Sequence, residues 1–337
     1  MQRCLELAKL AAGNVAPNPM VGAVLVYDEK IIGEGYHKKF GEAHAEVNCI
    51  DSVKEKDKHL IEKSILYVSL EPCAHFGKTP PCTNLIIKNK IPVVVIGCKD
   101  ANKEVAGNGI KLLQMAGITV VTEVLEKECI AINKRFFTFH QQQRPYIILK
   151  WAESMNGKIG ADHKRISISN EFTNRLVHKW RSEEQAILIG KQTALKDDPL
   201  LTTRLWPGEN PIRCVIDNNL SLPMWLKIFD QSTSTIIFNF LRNDEEKNIK
   251  RIKLSDGELS TLLKAMYRLN IISVLIEGGA LLLQSFIDDG LWDEARIIRN
   301  ERLTIENGID APELKNAVVE NQERYFSDTI SYFLPSA

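Results

Sequence analysis

The sequence lacks an excess of either charge. Its 337 residues carry 43 Lys and Arg against 43 Asp and Glu. A basic stripe of the kind that tracks long nucleic acid is therefore not expected, although local patches stay open. A long apolar run is also missing. Residues 1–17 read as an amphipathic helix that ends at a proline, so neither a signal peptide nor a membrane span is expected. The seven Cys are odd in number and follow no secretory signal, which argues against a disulfide framework and for a reducing, cytoplasmic setting. Internal repeats, low-complexity tracts and a GxGxxG fingerprint are absent. What is present is a 44% hydrophobic chain, rich enough for packed cores and too long for one ordinary domain.

The patterning predicts two α/β domains. Residues 1–12 fit a helix face, which Pro17-Asn18-Pro19 ends because proline cannot continue a helix and restricts the residue before it. Strands are predicted over 21–26 and 31–36 as a hairpin, then over 65–70, 92–97 and 118–121. Helices are predicted over 44–53, 83–89, 109–116 and 126–139. That order implies a three-layer α/β/α domain over residues 1–140. The polar stretch 140–145 (HQQQRP) marks the boundary, and a second α/β domain is expected over 145–337. Its strands are predicted at 146–151, 186–190, 213–217, 235–240 and 273–277, and its helices at 170–182, 259–269 and 280–288.

Residues 44–82 carry the most specific chemistry. His44-Ala45-Glu46 opens a helix, and Glu71-Pro72-Cys73 leaves a strand, with Cys82 beyond it. One imidazole and two thiolates can bind zinc and leave the fourth position to water. Glu46 would then stand beside that water as a proton carrier without being a ligand. Helix N-termini help hold thiolates. Two plainer readings remain at this point: the Cys are buried apolar residues, or His75 completes a closed structural site. Cys4, Cys49, Cys98, Cys129 and Cys214 read as small apolar fillers, and His37 as packing near the hairpin.

The strings PNPMVGAV, HAE and EPCAHFGKTPPC resemble the deaminase domain of the bacterial riboflavin-biosynthesis RibD family. Eight residues separate the two Cys, a spacing that marks this family within the wider His-x-Glu…Pro-Cys group. The resemblance continues through Lys150-Trp151-Ala152-Glu153-Ser154, the 186–204 segment and Ile276-Glu277-Gly278-Gly279-Ala280, which look like the family's reductase domain. It implies a cytidine-deaminase-like domain followed by a dihydrofolate-reductase-like domain. The implied activity is bifunctional: zinc-dependent deamination of a phosphoribosylamino-pyrimidinone, then NADPH-dependent reduction of its ribosyl group. The resemblance assigns zinc to His44, Cys73 and Cys82, the proton shuttle to Glu46, and base or phosphoribosyl contacts to Asn18, His75 and Lys78. For the reductase it implies substrate contacts at Lys150, Arg165, Arg181, Leu201, Arg204 and Glu277. It implies cofactor contacts at Glu153, Ser167, Thr193, Asp197, Asn218, Gly278, Gly279 and Ala280. Arg181 and Arg204 are expected to grip a terminal phosphate. The expected partners are small phosphoribosylated pyrimidines, with no nucleic acid and no membrane, in a homo-oligomer, dimer or tetramer. Asn156, where the family usually has Asp, and Ser167 suggest an alternative in which the reductase half is degenerate. A nucleic-acid base deaminase is the other alternative.

Overall fold

The computed structural model describes residues 1–74, 80–102, 106–161 and 166–336, which form two compact units, 1–143 and 144–337. No helix among the described residues is long and apolar enough to cross a membrane.

The first unit runs α1 (Gln2–Lys9), β1 (Gly22–Tyr27), β2 (Lys30–Tyr36), α2 (Ala45–Asp51), a 3-10 stretch (Glu55–Lys63), β3 (Ile65–Leu70), α3 (Cys82–Lys88), β4 (Val93–Cys98), α4 (Asn108–Met115), β5 (Thr119–Val121), α5 (Glu126–Ile132) and α6 (Lys134–Gln142). Its sheet has the order β2-β1-β3-β4-β5. β1 is antiparallel to both neighbours, and β3, β4 and β5 are parallel. Helices cover both faces, so the strands bury alternate side chains on opposite sides. Ala23, Leu25, Leu66 and Val68 join one core, while Val24 and Tyr67 pack with Cys4 and Leu7 of α1 on the other. Helix α2 lies directly on β2, where Gly33 and Gly35 leave room for it. A Cβ at Gly35 would overlap the Cys49 amide.

One expectation needs correction. The single helix predicted over 126–139 is two helices, broken at Asn133 (φ −109°, ψ 20°). The Asn133 side chain accepts from the Met20 amide at 2.8 Å and donates to the Met20 carbonyl at 2.9 Å. A residue clamping a distant strand entry in this way replaces the helical continuity that periodicity alone suggests.

The second unit runs β6 (Tyr146–Ser154), β7 (Lys158–Ala161), α7 (Glu171–Glu183), β8 (Ala186–Gly190), α8 (Lys191–Asp197), β9 (Ile212–Ile216), a 3-10 turn (Lys227–Phe229), β10 (Thr235–Asn239), β11 (Asp244–Glu246), β12 (Ile249–Lys253), α9 (Leu259–Arg268), β13 (Ser273–Ile276), α10 (Ala280–Asp288), β14 (Glu294–Asn300), β15 (Gly308–Asp310), β16 (Ala317–Tyr325) and β17 (Asp328–Pro335). The order β11-β12-β10-β9-β8-β13-β6-β14-β17-β16 makes one ten-stranded sheet, and β15 pairs with β7 apart from it. The seven strands from β12 to β14 are mutually parallel. The sequence patterning does not predict β7, β11, β12, β14, β15, β16 or β17. β16 is an edge strand exposed along most of its length, so no buried face imposes an apolar alternation on it.

The sheet is buried on both faces, which explains the unbroken apolar run of β6. Ile147, Leu149 and Trp151 enter one core, and Tyr146 and Ile148 the other with Val177 and Trp180 of α7. Because β6 and β13 are parallel, Lys150 and the residues just after Ile276 meet at the carboxyl ends of the strands, where open α/β sheets take ligands.

Candidate zinc and reductase sites

Three chain segments deliver the first cluster. His44 is the N-cap of α2, Cys73 follows the end of β3, and Cys82 is the first residue of α3. The His44 Nδ1 lies 3.5 Å from Cys73 Sγ and 3.4 Å from Cys82 Sγ, and all three donor atoms lie within 4.8 Å of one another. A tetrahedral zinc with ordinary bond lengths of about 2.3 Å to sulfur and about 2.0 Å to nitrogen separates N and S by about 3.6 Å. The nitrogen, two sulfurs and their spacing therefore fit zinc.

The surroundings support the donors. The Cys82 amide donates to Cys73 Sγ at 3.3 Å, and the Thr83 amide and hydroxyl both donate to the Cys73 carbonyl at 3.2 Å. Hydrogen bonding from Cys82, helped by His44, holds the Cys73 thiol down at about 4, while Cys82 is pushed up by the same partnership. Glu46, in the first turn of α2, is 3% exposed, and burial followed by the Cys73 charge raises its carboxyl above the usual range.

These groups close the floor of a cavity of about 350 Å³. Asn18, expected as a substrate contact, lines it. His75 and Lys78 lie outside the described residues. The structure adds His37, Asp100, Asn102, Phe136 and His140 to the lining, none of which the motifs had marked. Asp100 and Asn102 were accessible to reasoning, since they follow β4 at the carboxyl edge of the sheet. His37, read as packing near the hairpin, instead stands edge-on to His44 with ring centroids 5.5 Å apart. Burial holds its imidazole below the ordinary value. Glu71 anchors the wall, since its carboxylate accepts amides of Asp100, Gly107, Gly109 and Ile110 at 2.9–3.3 Å and so fastens the N-terminus of α4 to the Cys73 loop.

The second cavity, of about 340 Å³, opens at the carboxyl ends of β6, β8 and β13. Lys150, Arg181, Thr193, Asp197, Leu201, Glu277, Gly278 and Gly279, all expected as substrate or cofactor contacts, line it together. Arg181 has a different partner from the expected phosphate. Its Nε and one Nη donate to the two Glu277 oxygens at 2.8 and 2.7 Å, and its other Nη donates to the Thr202 carbonyl at 3.2 Å. The Lys150 Nζ stands 3.7 Å from the same carboxylate. Burial pulls the Lys150 ammonium down, against the Glu277 charge. Burial alone would raise Glu277, but the Arg181 and Lys150 charges outweigh it and hold the carboxyl at about 2. Glu277 is thus a fixed anion that places two cations at the cavity wall.

Other expected residues do not reach the cavity. Glu153 is buried, and its carboxylate accepts the Trp151 indole N–H at 2.9 Å and the Arg299 guanidinium at 2.7 Å. Arg204, Ser167 and Asn218 are exposed and outside the lining, as is the partly buried Ala280 that begins α10. Arg165 lies outside the described residues. Asn156 has a clear local role: it accepts from Ser154 Oγ and the Ile305 amide and donates to the Ile305 carbonyl, at 2.8, 3.1 and 2.9 Å. An aspartate could not make the last of these bonds.

Comparison with known proteins identifies both domains. Residues 1–98 match the zinc-binding region of cytidine and deoxycytidylate deaminases, and residues 145–300 match the RibD C-terminal domain. A riboflavin biosynthesis protein RibD of Aquifex aeolicus is 39% identical over 87% of this chain and 83% of its own length. That of Escherichia coli is 34% identical over 87% and 84%. The crystal structure of a Thermotoga maritima diaminohydroxyphosphoribosylaminopyrimidine deaminase/5-amino-6-(5-phosphoribosylamino)uracil reductase superposes with a TM-score of 0.90 at 35% identity, covering 99% of this chain and 97% of that one. Acinetobacter baumannii RibD gives a TM-score of 0.91 at 28% identity, covering 100% and 98%. The chain therefore belongs to the RibD family of bifunctional riboflavin biosynthesis enzymes, which join a deaminase domain and a reductase domain.

Proposed function

We propose that residues 1–140 deaminate 2,5-diamino-6-(phosphoribosylamino)pyrimidin-4-one, and that residues 145–337 reduce the resulting 5-amino-6-(5-phosphoribosylamino)uracil to its ribityl form with NADPH. The carrying observation is the imidazole and two thiols at zinc-binding separations under a cavity that also holds a buried carboxyl.

His44, Cys73 and Cys82 would hold the metal, which when bound supplies Lewis acidity at the cavity floor. Glu46 takes a proton from the attacking water and gives it to the ring nitrogen; it then takes the proton of the newly added hydroxyl and gives it to the departing amine, so that water enters and ammonia leaves. Its burial beside Cys73 keeps competing solvent from that proton. In the second cavity NADPH would supply the hydride. Gly278 and Gly279 leave backbone amides at the start of α10 open to a pyrophosphate, and Thr193 and Asp197 stand beside them. Lys150 holds a proton over the ribose as its ring opens, and Glu277 fixes the direction of that ammonium. The satisfied bonds of Asn156 support a working reductase half, because the departure from the family pattern closes its turn without a lost partner.

The test supplies purified protein with zinc, NADPH and the pyrimidinone, and follows ammonia and NADPH together. Both signals are expected. Ammonia alone would leave only the deaminase, and neither would overturn the reading.

A further inference from the structure

The hydrogen-bond chain at the wall of the first cavity has a direction set by one backbone carbonyl. The Ala43 carbonyl can only accept, and it lies 3.0 Å from His37 Nδ1, so Nδ1 carries the proton. His37 is 3% exposed, and its Nε2 faces the Asn18 NH2 group, which can only donate, so Nε2 is the acceptor. Nε2 lies 3.2 Å from the Asn18 side-chain amide, and only the NH2 group of that amide can donate to it. The Asn18 carbonyl oxygen has no protein partner among the described residues, and Asn18 lines the cavity.

We infer that His37 is a positioning residue for deamination: through the Ala43 carbonyl and a locked tautomer it turns the Asn18 amide so that Oδ1 faces the substrate and selects a pyrimidine edge presenting an N–H donor. The inference rests on the deaminase reading above. It excludes the reverse orientation, in which the amide NH2 would favour a pyrimidine carbonyl at that position. The backbone makes the arrangement rigid. His37 follows β2, and its amide donates to the Val21 carbonyl at 3.0 Å, while the Asn18 amide donates to the Val15 carbonyl at 2.8 Å. The Asn48 side chain donates to the Tyr36 carbonyl at 2.8 Å and so fastens the end of β2 to α2.

Two substitutions separate orientation from packing. His37→Asn keeps a donor for the Ala43 carbonyl and loses the acceptor for Asn18. His37→Gln places a side-chain oxygen where Nε2 was and restores that acceptor. His37→Asn is expected to raise KM for the pyrimidinone roughly tenfold, the equivalent of one neutral hydrogen bond, with kcat little changed and zinc content full. His37→Gln is expected to stay within about threefold of the parent. Equal KM for His37→Asn and the parent, equal impairment of both variants, or loss of zinc would overturn the inference. Nitrogen NMR of the full chain gives a readout independent of turnover: a protonated Nδ1 and bare Nε2 are expected at His37, and the opposite tautomer would refute it. NADPH oxidation on supplied uracil intermediate checks that each preparation is folded. If the parent itself releases no ammonia, the deaminase reading fails before any variant is compared, and the inference falls with it.

Discussion

Two carboxyls, the buried Glu46 and the mostly covered Glu277, sit in opposite electrostatic company. Glu46 has burial and a thiolate beside it, and its proton affinity rises; Glu277 has two cations, and its affinity falls. The first arrangement suits proton transfer and the second suits fixed charge. Glu46→Gln should cut ammonia release by about 10²–10⁴-fold and leave zinc content and reduction of supplied intermediate intact, as metal analysis and NADPH oxidation would show. Glu277→Gln leaves Arg181 and Lys150 buried with half a partner, and should cost about 3 kcal/mol by urea unfolding. The Glu277 carboxyl is held at about 2 against an ordinary 4.5, so its stabilisation is whole above about pH 4.5 and fades as pH falls toward 2. The gap between parent and Glu277→Gln should accordingly hold above about pH 5 and narrow from about pH 4.5 toward about pH 2. Much of this scale was legible in the sequence, because His44, Glu46 and Cys73 carry their chemistry in their spacing. His37 was not legible, since its role depends on the Ala43 carbonyl folding back against the ring, which no local pattern records.

At the scale of elements, two contacts decide where the first cluster stands. Helix α2 carries His44 and Glu46, and it reaches β2 only because Gly35 has no side chain. Gly35→Ala should push the helix outward, cost about 1–3 kcal/mol, and lower zinc content more than an alanine placed at an exposed site would. The α5–α6 break is the second contact. Asn133→Ala removes both bonds to Met20, two residues from Asn18, and should cost about 2 kcal/mol in thermal or urea unfolding while raising KM for the pyrimidinone. Glycines inside a strand and an Asn inside an amphipathic helix are visible in a sequence. Their partners are not, because each lies far along the chain. The central strands β6, β8, β9, β10 and β13 were legible from their apolar runs, whereas β12, β14 and β17, which mix charged residues into their runs, and the exposed edge strand β16 were missed.

At the scale of the whole molecule, the chain divides its chemistry between two units with separate cores. Removing the metal with a chelator should abolish ammonia release and leave NADPH oxidation on supplied uracil intermediate unchanged. Joint loss of both signals would contradict that independence. The place of β6 has a further consequence, for the order of events during synthesis. This strand opens the second unit, yet it is hydrogen-bonded between β13 and β14, whose residues emerge from the ribosome well over a hundred positions later. Until then its apolar run has no neighbours and two open edges, a state prone to association with other nascent chains. The first unit has all its strands before β6 appears, so translation yields a finished deaminase fold tethered to an unfinished reductase, and holdase chaperones have one defined interval in which to act.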